Sequence, residues 1–139
     1  MKRETPVSAI MTKDVITLNR KDSLETAERI FKSNKIRHIP VVSGKHVVGI
    51  LSYTDLLRIS FADAVDEDTG TVDTVVYNMF TIEQVMAKNL VSVTSETTIK
   101  TVAEMLAKRE FHAIPIIDNT ELVGIVTTTD LINFLLSQF

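Results

Sequence analysis

The chain has 139 residues, 45% of them apolar, a net charge of −3 and no cysteine. Such a length can bury a respectable core, and the missing thiols exclude disulfides, thiolate chemistry and cysteine-ligated zinc. No block of Lys or Arg gives the footprint of a nucleic-acid binder, no apolar run approaches the ~18 residues that span a bilayer, and the start MKRETPVSAIM lacks the apolar stretch of a secretory signal, so the expectation is a soluble cytoplasmic protein with no nucleic-acid or membrane partner.

Thr5-Pro6 predicts a helix start, with Thr as N-cap and Pro at the first helical position, where its missing N–H costs nothing; the short segment Val7–Met11 follows. Val15–Leu18 is a brief β-rich run. Asp22-Ser23 then caps a helix of about three turns, whose Leu24, Ala27, Ile30 and Phe31 recur at helical spacing and are read as core. Ile39–Val42 and Val47–Leu51 are apolar almost throughout, as in strands covered on both faces, and Ser43-Gly-Lys-His46 supplies a turn between them. Another helix opens near Thr54 and runs towards Ala64. Asp63, Asp66, Glu67, Asp68 and Asp73, around Thr69-Gly70, make 61–80 an acidic, solvated linker; the spacing and closing Glu of a calcium loop are absent.

The elements then recur. A shift of 75 residues, without a gap, lays 82–134 on 7–59 with eleven identities: Met11/Met86, Lys13/Lys88, Thr26/Thr101, Ile39/Ile114, Pro40/Pro115, Val48/Val123, Gly49/Gly124, Ile50/Ile125, Thr54/Thr129, Asp55/Asp130 and Leu56/Leu131. Roughly three matches would come from average composition alone, so the chain is an internal duplication. Thr81-Ile-Glu-Gln84 restarts the leading helix as a capping box. Leu90–Val93 is the second β-rich run, and Thr97-Thr98 caps a helix with Ile99, Val102, Ala103 and Leu106 on one face. The strands Ile114–Ile117 and Leu122–Val126 flank the turn Asp118-Asn-Thr-Glu121, and the last helix carries Ile132, Leu135 and Leu136.

Two turns carry the chemistry, Ser52-Tyr-Thr-Asp55 and Thr127-Thr-Thr-Asp130. Each stands where a strand ends and a helix begins, the edge at which such sheets bind ligands, and a carboxylate there can accept from both hydroxyls of a ribose. The hydroxyl three residues earlier can meet the sugar or an α-phosphate. The same spacing is also a capping box that needs only its own backbone, and the two roles are compatible.

Each repeat places h-x-x-h-P before its second strand and G-h-h-[ST]-x-x-D after its third. That pattern resembles the CBS domain, named for cystathionine β-synthase, and the tandem resembles a CBS pair, or Bateman module, of the small stand-alone bacterial and archaeal type. The resemblance implies an α/β (α+β) fold of two repeats, each β-α-β-β-α with a short leading helix, packed as a pseudo-twofold pair. The expected boundaries are 7–60 for the first repeat, 61–80 for the acidic linker and 81–139 for the second. It further implies an adenine nucleotide (AMP, ADP or ATP) as a regulatory ligand, with no cofactor required, in two clefts that pair the [ST]-x-x-D of one repeat with the first strand and h-x-x-h-P of the other. One set would be Thr127 and Asp130 with Ile16, Ile36, Arg37, His38, Ile39 and Pro40; the other, Ser52 and Asp55 with Val91, Phe111, His112, Ala113, Ile114 and Pro115. The copies diverge at the basic positions. Arg37-His38 offers a permanent guanidinium and an imidazole, His112-Ala113 an imidazole alone, and only the guanidinium grips phosphate bidentately in its charged form at all pH values of interest.

The expectation is a regulatory ligand-sensing module, not an enzyme: P-loop, H-E-x-x-H and G-x-S-x-G are all missing. The alternatives are an S-adenosylmethionine sensor and a structural dimerisation or interaction module with empty clefts. A homodimer is expected through apolar positions of the terminal helices, Leu56, Leu57, Ile59, Leu131, Ile132 and Leu135, with an unidentified regulated protein as a further partner.

Overall fold

The computed structural model describes residues 4–63, 74–88 and 90–139. The chain divides into two compact units, Ile16–Leu90 and Met1–Val15 with Val91–Phe139. The leading segment of each repeat therefore belongs to the unit built on the other repeat's strands.

In the first unit, β1 (Leu18–Asn19) pairs in parallel with β2 (His38–Ser43), which forms an antiparallel hairpin with β3 (His46–Ser52). Helix α1 (Leu24–Asn34) starts at Ser23, whose Oγ accepts from the Thr26 N–H at 3.1 Å, and ends where Lys35 takes a left-handed φ of 54°. Its Leu24, Ala27 and Phe31 are buried as the 3.6-residue period requires, against Leu18, Ile39, Val41 and Leu51. Helix α2 (Tyr53–Asp63) follows β3 directly, and α3 (Thr74–Met79) and α4 (Ile82–Val85) close the unit.

The expected linker thus holds structure of its own. Tyr77 of α3 is only 4% exposed in the core, and Phe80 packs against the same cluster. Aromatic side chains that bury this much area outweigh the acidic composition around them. Asp66, Glu67, Asp68, Thr69, Gly70 and Asp73 lie outside the described residues. Tyr77 also reaches Glu28. Burial pushes the Glu28 carboxyl up, but hydrogen bonds from Lys32 and Tyr77 outweigh it and hold that carboxyl below its ordinary value.

The second unit repeats the plan. Helix α5 (Ile99–Lys108) is capped by Thr98, and β4 (Ala113–Asp118) forms a hairpin with β5 (Glu121–Thr127) ahead of α6 (Thr128–Ser137). Asn119 and Thr120 both take positive φ, 49° and 68°, as a two-residue turn of the mirror-image type demands. The leading strand of this repeat shrinks to one parallel bridge, Val93 to Ile116. Val7, Val102, Ile114, Ile116 and Val126 form its core.

Thr5-Pro6 does not start an α-helix as expected. Pro6 is extended and bridges to Thr98, the Thr5 carbonyl accepts from the Ile99 N–H at 2.9 Å, and only a 3₁₀ turn, Val7–Ala9, follows. Pairing with the 95–99 segment holds this backbone in strand form, and that non-local pairing overrides the local signal. The Thr81/Gln84 capping box forms as expected.

The leaders join their host sheets at a glycine. Thr12 and Ile125 exchange backbone hydrogen bonds of 2.9 and 3.0 Å, and Ala87 and Ile50 do the same at 2.9 and 3.0 Å. Met11 and Met86 lie over Gly124 and Gly49, where no Cβ intervenes. A strand glycine at such a place marks close backbone approach.

One further tie is specific to the second repeat. Asp118 accepts from the Ser95 N–H at 2.9 Å and from Ser95 Oγ at 2.5 Å. The Ser95 side-chain and backbone hydrogen bonds hold its carboxyl below the ordinary value. A carboxyl depressed in the folded state stabilises above its unfolded pKa and loses that contribution as pH falls through the folded one. Ser95→Ala should therefore lower stability at neutral pH while leaving it unchanged at pH values acid enough to protonate Asp118 in both states, which urea unfolding across the acid range will read.

Candidate functional site

Within each unit, hydrogen bonds gather a strand end, a helix start and the segment before the hairpin. In the first unit Asp55 Oδ2 accepts from the Ser52 N–H at 3.2 Å, and Ser52 Oγ from the Asp55 N–H at 3.0 Å. In the second, Asp130 Oδ2 accepts from the Thr127 N–H at 2.9 Å, and Thr127 Oγ1 from the Asp130 N–H at 3.2 Å. Both [ST]-x-x-D turns are thus reciprocal capping boxes, each securing two helix donors that would otherwise lack partners. The cap engages Oδ2 alone. Both Asp side chains are half-buried, and the other oxygen stays outside the box; in Asp55 this Oδ1 stands 3.5 Å from Arg58 Nη1.

The h-x-x-h-P segments are fixed to these turns by bonds that their motifs do not advertise. The Tyr53 N–H donates to the Arg37 carbonyl at 2.8 Å, and the Thr128 N–H to the His112 carbonyl at 3.0 Å. His38 pairs with Ser52, and Ala113 with Thr127, as the first rungs of the two hairpins. The sequence reading missed Tyr53 and Thr128. They act through backbone groups, and no side-chain pattern at the variable position of [ST]-x-x-D could have singled them out. Each unit thus brings a repeat's own turn beside that repeat's own segment.

The expected site residues fall into two classes. Arg37 and His112 are exposed, and Ile16, Ile36, His38, Val91 and Phe111 are half-buried, all with surface to offer. Arg109 places its guanidinium 5.9 Å from the Phe111 ring centre. Ile39 and Ile114 are fully buried in the two cores, and Pro40, Ala113 and Pro115 are buried strand residues. Their side chains support the hairpins; what they can offer a ligand is backbone. The expected self-association surface is corrected at Leu56, which is 1% exposed because the first turn of α2 packs it into the first core. Ile132 and Leu135 of α6 are exposed, as that surface requires, and Leu136, Phe139 and Met79 of α3 are further exposed apolar side chains. Among the described residues, no group of His, Asp and Glu is placed to hold a metal, and no helix is long and apolar enough to cross a membrane.

The family model of the CBS domain matches residues 7–62 and 82–137. A homoserine O-acetyltransferase of Methanohalobium evestigatum is 30% identical over 137 residues, which cover 97% of this chain and 25% of that protein. The CBS domain-containing protein YhcV of Bacillus subtilis is 26% identical over 125 residues, 90% of this chain and 81% of YhcV. Among solved structures, the CBS domain pair of protein MJ0100, in complex with 5′-methylthioadenosine and S-adenosyl-L-methionine, is similar with a TM-score of 0.81 and 26% identity, covering 97% of this chain and 98% of that one. The chain spans less than half the length of the first curated relatives it matches.

Proposed function

The chain belongs to the CBS domain family, and from that premise we propose that it is a non-enzymatic, ligand-sensing pair that binds an adenosyl small molecule and transmits its presence to a partner protein or to a second copy of itself. The observation that carries this reading is the pair of half-buried carboxylates, Asp55 and Asp130, each spending one oxygen on a helix cap and keeping the other at the carboxyl end of a strand. A ribose diol is the partner such an oxygen suits. The adenosyl compounds held by the MJ0100 pair, a relative over nearly the whole chain, support the same class.

The ligand sets are those expected from the resemblance: Asp130, Thr127, Ile16, Ile36, Arg37 and His38, and Asp55, Ser52, Val91, Phe111 and His112. Adenine nucleotides are the leading ligands, since Arg37 offers a guanidinium for phosphate; S-adenosylmethionine is the alternative. Thermal unfolding against AMP, ADP, ATP, S-adenosylmethionine and NAD tests the proposal. A true ligand at ~100 times its dissociation constant adds about 2.7 kcal/mol of stability, and silence across the panel would leave a structural module.

The exposed apolar side chains of α6 favour self-association as the output. Ile132, Leu135, Leu136 and Phe139 expose apolar surface that a second copy can cover. Sedimentation equilibrium should show a dimer at micromolar concentration, weakened by Leu136→Glu. A monomer throughout would remove this part of the proposal.

A further inference from the structure

A cavity of about 300 Å³ opens within the unit Ile16–Leu90, lined by Asp55, Arg58 and Ile59 of α2 and by Phe80, Gln84 and Val85 at α4. Its lining divides by chemistry. Ile59, Phe80 and Val85 are apolar and packed from behind by the first core. Asp55 and Arg58 are an ion pair with a 3.5 Å separation, longer than a good charged hydrogen bond of about 2.8 Å. The Arg58 side chain is 74% exposed, so both groups keep capacity for another partner. Gln84 spends Oε1 on the Thr81 N–H at 2.9 Å, which leaves its amide NH₂ outside that cap.

One anion and one cation side by side, next to an apolar wall, match a molecule with the same layout. A ligand of single charge would satisfy one group and repel the other. A volume near 300 Å³ is at the small end of ligand sites, well suited to a molecule of ten or so heavy atoms. We propose that this cavity binds a free α-amino acid with an apolar side chain. Its ammonium meets Asp55 Oδ1, its carboxylate takes the planar fork of Arg58, and its side chain covers Ile59, Phe80 and Val85. The duplication supplies an internal contrast: the positions equivalent to Arg58 and Phe80 are Asn133 and Thr5. The position equivalent to Ile59 is Phe134, so an apolar residue is kept there, but the second repeat lacks the cation that would take the carboxylate, and the stoichiometry is one amino acid per chain.

This inference goes beyond the adenosyl reading and meets it at one atom: Asp55 Oδ1 serves the ammonium here and a ribose in the Asp55 adenosyl set, so the two ligands exclude each other there. Arg58, Phe80 and Val85 belong to neither adenosyl set, and the decisive variants are made at these residues. Isothermal titration of the full chain with L-leucine, L-methionine and L-phenylalanine should show one-to-one binding for at least one of them. For that amino acid, the analogue without the ammonium (4-methylpentanoate for leucine) and the one without the carboxylate (isopentylamine) should bind roughly tenfold more weakly or worse, the loss of one charged hydrogen-bonding partner. Arg58→Ala should weaken binding by a similar factor while leaving the melting temperature and the adenosyl response of the Asp130 set unchanged; Phe80→Leu should shift preference away from phenylalanine. No heat with any of the three at about 10 mM, a range that reaches the weakest specific affinities, would overturn the proposal. So would equal binding by isopentylamine, or an Arg58→Ala protein that binds as well as the parent.

Discussion

Gly49→Ala should destabilise the chain by about 1–3 kcal/mol, the usual cost of forcing atoms into a packed site, and Gly124→Ala should cost less. A Cβ on Gly49 would lie 2.9 Å from the Ala87 carbonyl oxygen and nearer still to Met86 Sδ. The methionine can swing aside, because its side chain is unbranched and adaptable. The carbonyl cannot, since it accepts from the Ile50 N–H at 3.0 Å and the return bond from Ala87 is 2.9 Å. At Gly124 the corresponding carbonyl, Thr12, is 3.0 Å away and the Met11 sulfur 2.7 Å, so a smaller shift suffices. Urea unfolding gives the order. Hydrogen exchange should add that Gly49→Ala exposes the Ile50 and Ala87 amides before the rest of the unit. If Gly49→Ala falls within about 0.5 kcal/mol of the parent, the range of an ordinary surface change, or Gly124→Ala is the worse of the two, the leader is not held as described.

That pair of glycines shows what the sequence made legible. Gly49/Gly124 and Met11/Met86 stand out as identities in the duplication, and the hairpins, the α1 and α5 faces and both capping boxes follow from local pattern. Which sheet each leader joins does not follow. A segment of a few residues carries no record of its partner when its equivalent elsewhere has nearly the same sequence, and the exchange of leaders is a choice between two similar docking places. Thr5-Pro6 fails for a related reason: its capping chemistry is sound locally, but pairing with Pro6 and Thr98 extended is decided by residues more than ninety positions away. Leu56 was misread because α2 shows apolar residues on more than one side, and periodicity alone cannot say which side meets the sheet. The two [ST]-x-x-D turns were legible from their spacing, with the cap and ligand roles compatible. That each cap uses a single carboxylate oxygen was not, because it depends on the side-chain geometry of the folded turn.

Because the Asp residues cap helices, binding variants must be separated from stability variants. Asp130→Ala removes the N3 acceptor of the capping box from the Thr127 N–H and should cost roughly 1 kcal/mol of stability, the net worth of one hydrogen bond, along with ligand; Asp130→Asn keeps an acceptor oxygen for the cap and loses the charge. Under the proposed grouping, calorimetry with AMP should resolve a tighter phase that both Asp130 variants abolish and Asp55→Asn leaves nearly intact. Arg37→Ala should weaken that same phase roughly ten- to a hundredfold, since a charge-assisted hydrogen bond to phosphate is worth about 1.5–3 kcal/mol. It should hardly touch adenosine, which has no phosphate to lose. His112→Ala should act on the weaker phase, and less, because an imidazole lacks the permanent charge and the bidentate fork of a guanidinium. The phase that Arg37→Ala disturbs also decides the grouping, because the Arg37 carbonyl is tied by the Tyr53 N–H to the turn that carries Asp55. If Arg37→Ala and Asp55→Asn weaken one phase together while Asp130→Asn weakens the other, each repeat serves its own ligand and the crosswise sets are wrong. If Arg37→Ala weakens adenosine as much as AMP, the guanidinium is not a phosphate ligand at all.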